Sequence, residues 1–102
     1  MQGALHGSLF TEIGELTLLK KLDLSENFLE GTIPSELGRL PLENLYLNNN
    51  MFAGTLPTEL FNLPVLEGFN VAANGLSGTV PTEISFLTHV QWFNIYGNWV
   101  SQ

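Results

Sequence analysis

The chain has 102 residues, one domain's worth, and 44% of them are hydrophobic, which excludes a disordered tail. Three Lys+Arg against ten Asp+Glu give a net charge of −7, which argues against nucleic acid or an anionic membrane surface as partner. There is no cysteine, so a disulfide framework, a thiolate metal site and a cysteine nucleophile are all excluded. No apolar run approaches the ~18 residues that a membrane-spanning helix needs.

In chain order the sequence reads as one unit written several times. A partial copy carries Leu5, Gly7, Leu9, Ile13 and Leu16. The first full copy runs Leu19, Leu22, Leu24, Asn27, Leu29, Gly31, Ile33, Pro34, Leu37, Leu40. The second runs Leu42, Leu45, Leu47, Asn50, Phe52, Gly54, Leu56, Pro57, Leu60, Leu63. The third runs Leu66, Phe69, Val71, Asn74, Leu76, Gly78, Val80, Pro81, Ile84, Leu87. A last partial copy holds Val90, Phe93, Ile95, Asn98 and Val100. Asn27, Asn50, Asn74 and Asn98 stand 23, 24 and 24 residues apart, and the Gly and Pro columns keep the same step. Such a period is the signature of a stacked solenoid. The phasing divides a single domain, 1–102, into a partial repeat 1–18, full repeats 19–41, 42–65 and 66–89, and a partial repeat 90–102. Two departures mark natural divergence: Phe10 stands where later copies have Pro, and one residue is missing between Leu40 and Leu42.

Each copy predicts one short strand. Leu22-Asp23-Leu24, Leu45-Tyr46-Leu47, Phe69-Asn70-Val71 and Phe93-Asn94-Ile95 alternate apolar and polar, as half-buried strands do. One strand per repeat, always in the same direction, makes a parallel ladder with ~4.8 Å between neighbours. The structural Asn ladder, Asn27, Asn50, Asn74 and Asn98, turns the chain inward and satisfies loop backbone groups hidden from water. Gly supplies backbone freedom or close approach. Pro then ends the extended stretch and opens a helical turn such as Ser35-Glu36-Leu37.

The repeated Leu-x-Leu-x-x-Asn and Gly-x-Ile/Leu/Val-Pro segments at 31–34, 54–57 and 78–81 resemble the leucine-rich repeat family, plant-type subclass. The resemblance implies an α/β-type solenoid. It would wind as a right-handed superhelix with a parallel strand strip on the concave face, a second small strand near Gly-x-Ile-Pro, and short 3₁₀ turns on the convex face. Relatives of this type include plant receptor-kinase ectodomains and inhibitors of cell-wall-degrading enzymes, which places the chain outside the cell or at its surface, with an intracellular location as the alternative. No capping segment is visible at either end, so the chain reads as part of a longer array, or as one whose ends meet further repeats or another copy.

The period also fixes which strand residues face outward: Lys21, Asn44, Gly68, Trp92; then Asp23, Tyr46, Asn70, Asn94; then Ser25, Asn48, Ala72, Tyr96. Rings interleaved with amides suit a protein or peptide ligand, because rings give area at low entropy cost and amides give direction. The candidate binding residues on the concave face are Trp92, Asn94, Tyr96, Tyr46, Asn70, Asn44 and Asn48. The bland reading is that these rings merely cover a sheet face. Other features take bland readings. Glu12, Glu36, Glu59 and Glu83 recur at helix starts, where an acid is favoured. Lys20, Lys21, Asp23, Glu26 and Glu30 read as solvated ion pairs. His6 and His89 are too far apart in the repeat to share a metal. Phe61 and Phe86, on the convex turns, pack between repeats or form a lateral contact. No serine-nucleophile elbow, phosphate loop, dinucleotide fingerprint or zinc helix occurs. The expected function is non-catalytic recognition without cofactor or metal. The alternatives are an assembly role in a larger complex, or binding of carbohydrate or ice by the regularly spaced Asn residues.

Overall fold

The computed structural model describes residues 6–8, 11–79 and 82–101. Leu5, Leu9, Phe10, Val80 and Pro81 lie outside them, as do the side chains of His6 and Val100. Among the described residues there are nine strands and four 3₁₀ turns, with two strands between successive turns. The strands are β1 (His6–Ser8), β2 (Lys21–Asp23), β3 (Phe28–Thr32), β4 (Asn44–Tyr46), β5 (Met51–Gly54), β6 (Gly68–Asn70), β7 (Gly75–Thr79), β8 (Trp92–Asn94) and β9 (Trp99–Ser101). The turns are Thr11–Glu15, Ser35–Arg39, Thr58–Asn62 and Thr82–Phe86.

Two parallel sheets form two walls of the coil. One has the order β2-β4-β6-β8, the other β1-β3-β5-β7-β9. In the first sheet repeat-equivalent residues face one another: Lys21, Asn44, Gly68 and Trp92 form one rung, and Asp23, Tyr46, Asn70 and Asn94 another. The second sheet is different. Gly31 pairs with Phe52, Gly54 with Leu76 and Gly78 with Val100, so each strand is offset by two residues from its repeat equivalent. The period alone gives equivalence between copies and not this stagger.

The apolar columns meet inside. Leu37, Leu42, Leu45, Leu47, Phe52, Phe61 and Val71 are all fully buried. Each such side chain contributes roughly 1.5–3 kcal/mol. The expectation for the two convex phenylalanines divides. Phe61 packs inside, edge-on to Phe69 at 6.4 Å, and Phe69 stacks on Phe93 at 5.2 Å. Phe86 is 61% exposed. Gly14 and Gly38 occupy the place equivalent to Phe61 in the two preceding turns. A Cβ on either would come within 2.8 Å of the following turn, at the Cβ of Glu36 or the carbonyl of Glu59. The first three turns therefore stack closely because glycine stands at the contact.

Asn side chains hold the corner after each first-sheet strand. Asn50 donates from Nδ2 to the carbonyls of Leu24, Leu47 and Asn48 at 2.9–3.2 Å, while its Oδ1 accepts the N–H of Leu29 at 3.0 Å. Asn74 does the same with Leu47, Val71 and Ala72 as acceptors and Phe52 as donor. Asn98 donates to Val71 and Ile95 and accepts from Leu76. Asn27 donates to Leu24 and Ser25. Asn50, Asn74 and Asn98 thus tie their own corner to the carbonyl just after a first-sheet strand, and to a second-sheet N–H, of the preceding repeat. The residue before each Asn is left-handed: Glu26, Asn49, Ala73 and Gly97 have φ of 58°, 59°, 56° and 78°. The sequence shows this column poorly, because only Asn49 and Gly97 are residues that take such a conformation readily.

Candidate functional site

Three-residue strands fix the direction of every outward side chain on the first sheet. Asp23, Ser25, Tyr46, Asn48, Asn70 and Trp92 line one open groove of about 350 Å³ across its face. The groove unites Tyr46, Trp92, Asn48 and Asn70 of the candidate residues. Asn44 touches it through Tyr46, whose hydroxyl donates to Asn44 Oδ1 at 3.0 Å. Asn94 and Tyr96 are not among the residues lining it. Tyr96 is 84% exposed, and its backbone N–H donates to Asn94 Oδ1 at 2.9 Å.

The groove owes its shape to Gly68. Tyr46 on β4 and Trp92 on β8 are separated by β6, yet their rings meet edge to face at 5.9 Å and 82°. Gly68 lies between them and has no side chain to hold them apart. A Cβ there would fall 2.8 Å from the Tyr46 hydroxyl and 2.7 Å from Asn44 Oδ1. Tyr46 leans over this gap, and Gly68 is buried beneath it although its rung faces outward. Sequence reasoning placed Gly68 in the right column and missed this role. A glycine inside a strand, flanked in its rung and the next by rings, is the signal that marks such a close approach.

Polarity is divided along the groove. At one end, Asp23 Oδ1 accepts both the Ser25 hydroxyl at 2.6 Å and the Ser25 N–H at 3.0 Å. The Ser25 hydroxyl, then its backbone N–H, hold the Asp23 carboxyl below its ordinary value, so it is charged at neutral pH. Asp23 is therefore braced by Ser25. Towards the other end, Asn70 Oδ1 accepts the N–H of Ala72 at 2.9 Å. With that oxygen engaged, the amide of Asn70 has its Nδ2 donors to offer, as does Asn44. Asn48 has the opposite sense: its Nδ2 donates to Asn49 Oδ1 at 2.8 Å, which leaves its oxygen as acceptor. Trp92 is half exposed and adds an indole N–H on an apolar ring. No group of three or more metal-ligating side chains occurs among the described residues.

The Leucine Rich Repeat family model matches residues 18–40 and 41–63 in two consecutive copies. The fold is that of a leucine-rich repeat solenoid, and the chain is similar to plant proteins of the receptor-like kinase type. It is 52% identical over 42 residues to a probable leucine-rich-repeat receptor-like serine/threonine-protein kinase of Arabidopsis thaliana; the match covers 41% of this chain and 4% of that protein. The chain thus spans a small fraction of the length of the curated relatives it matches. Among solved structures it is similar to the plant peptide hormone receptor RGFR1 in complex with RGF2, with a TM-score of 0.94 and 36% identity over 97% of this chain and 16% of that one. It is also similar to a plant ice-binding protein, with a TM-score of 0.80 and 28% identity over 95% of this chain and 39% of that one. One fold therefore carries different functions, and the function must be argued from the site.

Proposed function

We propose that this chain is a non-catalytic recognition module that binds an extended peptide or protein segment across its concave strand face, outside the cell. The observation that carries this reading is the groove itself. Two rings in edge contact, an ionised carboxylate and several half-buried amides converge on one open surface. Shallow, open grooves suit chains laid along them, and aromatic anchors with polar neighbours are the usual energetic centres of such contacts. Similarity to a receptor solved with a peptide hormone supports the same reading. Ligand chemistry requires no cofactor here, and the chain's role is binding, with any kinase activity of its relatives belonging to other segments.

The test is selection from a displayed library of random linear peptides. Sequences enriched on the wild type and lost on the Tyr46→Ala/Trp92→Ala double variant support the reading. Enrichment that survives both substitutions moves binding off this face. Ice binding is the reading suggested by the other neighbour. The outward rung Lys21, Asn44, Gly68, Trp92 lacks the chemical repetition that a crystalline surface would match, and thermal hysteresis in solution would revive that reading.

A further inference from the structure

The groove's two ends differ in chemistry, and the difference specifies a ligand. We infer that the peptide bound here carries a lysine or arginine at the Asp23 end and an aromatic or proline side chain against Trp92, about four residues away in an extended chain. This rests on the reading of the concave face as a peptide site and adds to it the identity of the anchoring residues.

Asp23 is the one carboxylate among the described residues that line the groove. Ser25 fixes its orientation through two hydrogen bonds, both to Oδ1, and Oδ2 of the same carboxylate is the atom left to accept. A preoriented acceptor loses less entropy on pairing than a free one, so a cation there is worth more than at an ordinary exposed acid. The protein's net charge of −7 favours the same partner sign at longer range. A ligand acid at this end would meet Asp23 head-on and be rejected.

The spacing follows from the ladder. Asp23 on β2 is the ladder partner of Tyr46 on β4, and Trp92 stands on β8, three strands from Asp23. Three strand steps of ~4.8 Å make ~14 Å. An extended chain advances ~3.4 Å per residue, so the Asp23 and Trp92 anchors lie about four residues apart. Between them, the donors of Asn44 and Asn70 and the oxygen of Asn48 are of the kinds that pair with ligand carbonyls and N–H groups. The exposed indole face of Trp92 takes a planar or ring-bearing side chain.

Peptides selected on the wild type provide the test, with Asp23→Asn as the matched variant. The amide keeps an oxygen for Ser25, so the strand end is retained, and circular dichroism verifies that it is. Two blocked hexapeptides, one with Arg and one with Glu four residues before a Phe, are then titrated by calorimetry at low and at physiological salt. The expected result is an Arg peptide bound about tenfold more tightly than the Glu peptide, with the preference collapsing to about twofold or less on Asp23→Asn. Selected peptides without a cation at that spacing, or an Arg preference that Asp23→Asn leaves intact, overturn the inference while the peptide-binding reading stands. An absence of enriched peptides on the wild type overturns both.

Discussion

Tyr46 and Trp92 sit on strands that are not neighbours, and their rings touch at 5.9 Å because Gly68 on the intervening strand contributes no side chain. Gly68→Ala places a methyl 2.8 Å from the Tyr46 hydroxyl and 2.7 Å from Asn44 Oδ1. Both are ends of side chains that can swing away, so the fold survives. Stability changes by less than about 1 kcal/mol, since the lost ring contact of about 0.5–1.5 kcal/mol is offset by the lower backbone entropy of Ala. Proton spectra then show Tyr46 losing its ring-current shift from Trp92. An unchanged shift would mean that Gly68 does not set the contact.

The Asn ladder predicts a large stability loss. Asn74→Ala removes the Oδ1 that accepts the Phe52 N–H and the Nδ2 that donates to the carbonyls of Leu47, Val71 and Ala72. At about 1 kcal/mol per buried bond lost, the urea midpoint should fall by the equivalent of ~2–4 kcal/mol. Asn74→Asp keeps an oxygen for Phe52 and still loses the donors, so it too destabilises. A near-neutral Asn74→Asp would show that the donor half of the side chain is idle.

Ala73 has φ of 56°. A left-handed L-residue costs roughly 1–2 kcal/mol, so Ala73→Gly is expected to raise stability by about 0.5–1 kcal/mol after the entropy of the unfolded glycine chain is counted. Gly97→Ala does the reverse, because its φ is 78° and a Cβ would meet the Ala73 nitrogen at 3.2 Å. Thermal melts of the two variants should move in opposite directions.

Asp23 makes a pH prediction with a definite sign. The folded carboxyl is lowered from 3.8 by the Ser25 hydroxyl and N–H. Its charged form is therefore favoured by folding. The resulting stability is fully present above the ordinary value and fades as pH falls through the folded value. Carboxyl-detected titration of Ser25→Ala should show Asp23 moving back towards 3.8. No movement would assign the lowering to another cause.

The convex phenylalanines make a contrast. Phe61 is fully buried against Phe69, and Phe61→Ala should cost ~3–5 kcal/mol. Phe86 is 61% exposed, and Phe86→Ser should stay within about 0.5 kcal/mol. Denaturant unfolding of the two variants checks both.

The two phenylalanines also show where sequence reading stops. Repeat period and residue type place the first-sheet strands, a helical turn after each Pro and the outward rungs, because Leu, Asn and Gly recur wherever one physical task recurs; the second-sheet strands and the 3₁₀ form of the turns come with the family resemblance. Phe61 and Phe86 occupy adjacent positions in their turns and carry no periodic signal. Only packing against Phe69 distinguishes them. The rings of the candidate site were legible as a face, and Tyr96 was legible no less than Tyr46. What separates them is the lean of Tyr46 over Gly68, a matter of what the next strand lacks. Asp23 likewise takes its partner from Ser25, two residues along the same chain, a contact that reading the charges as a solvated cluster does not reveal.

The offset in the second sheet has no counterpart in the first. Rungs of the first sheet stay level from repeat to repeat. In the second sheet each step of ~4.8 Å comes with a slide of two residues, ~6.6 Å along the strand. One wall of the coil therefore climbs like the treads of a stair while the other stays flat.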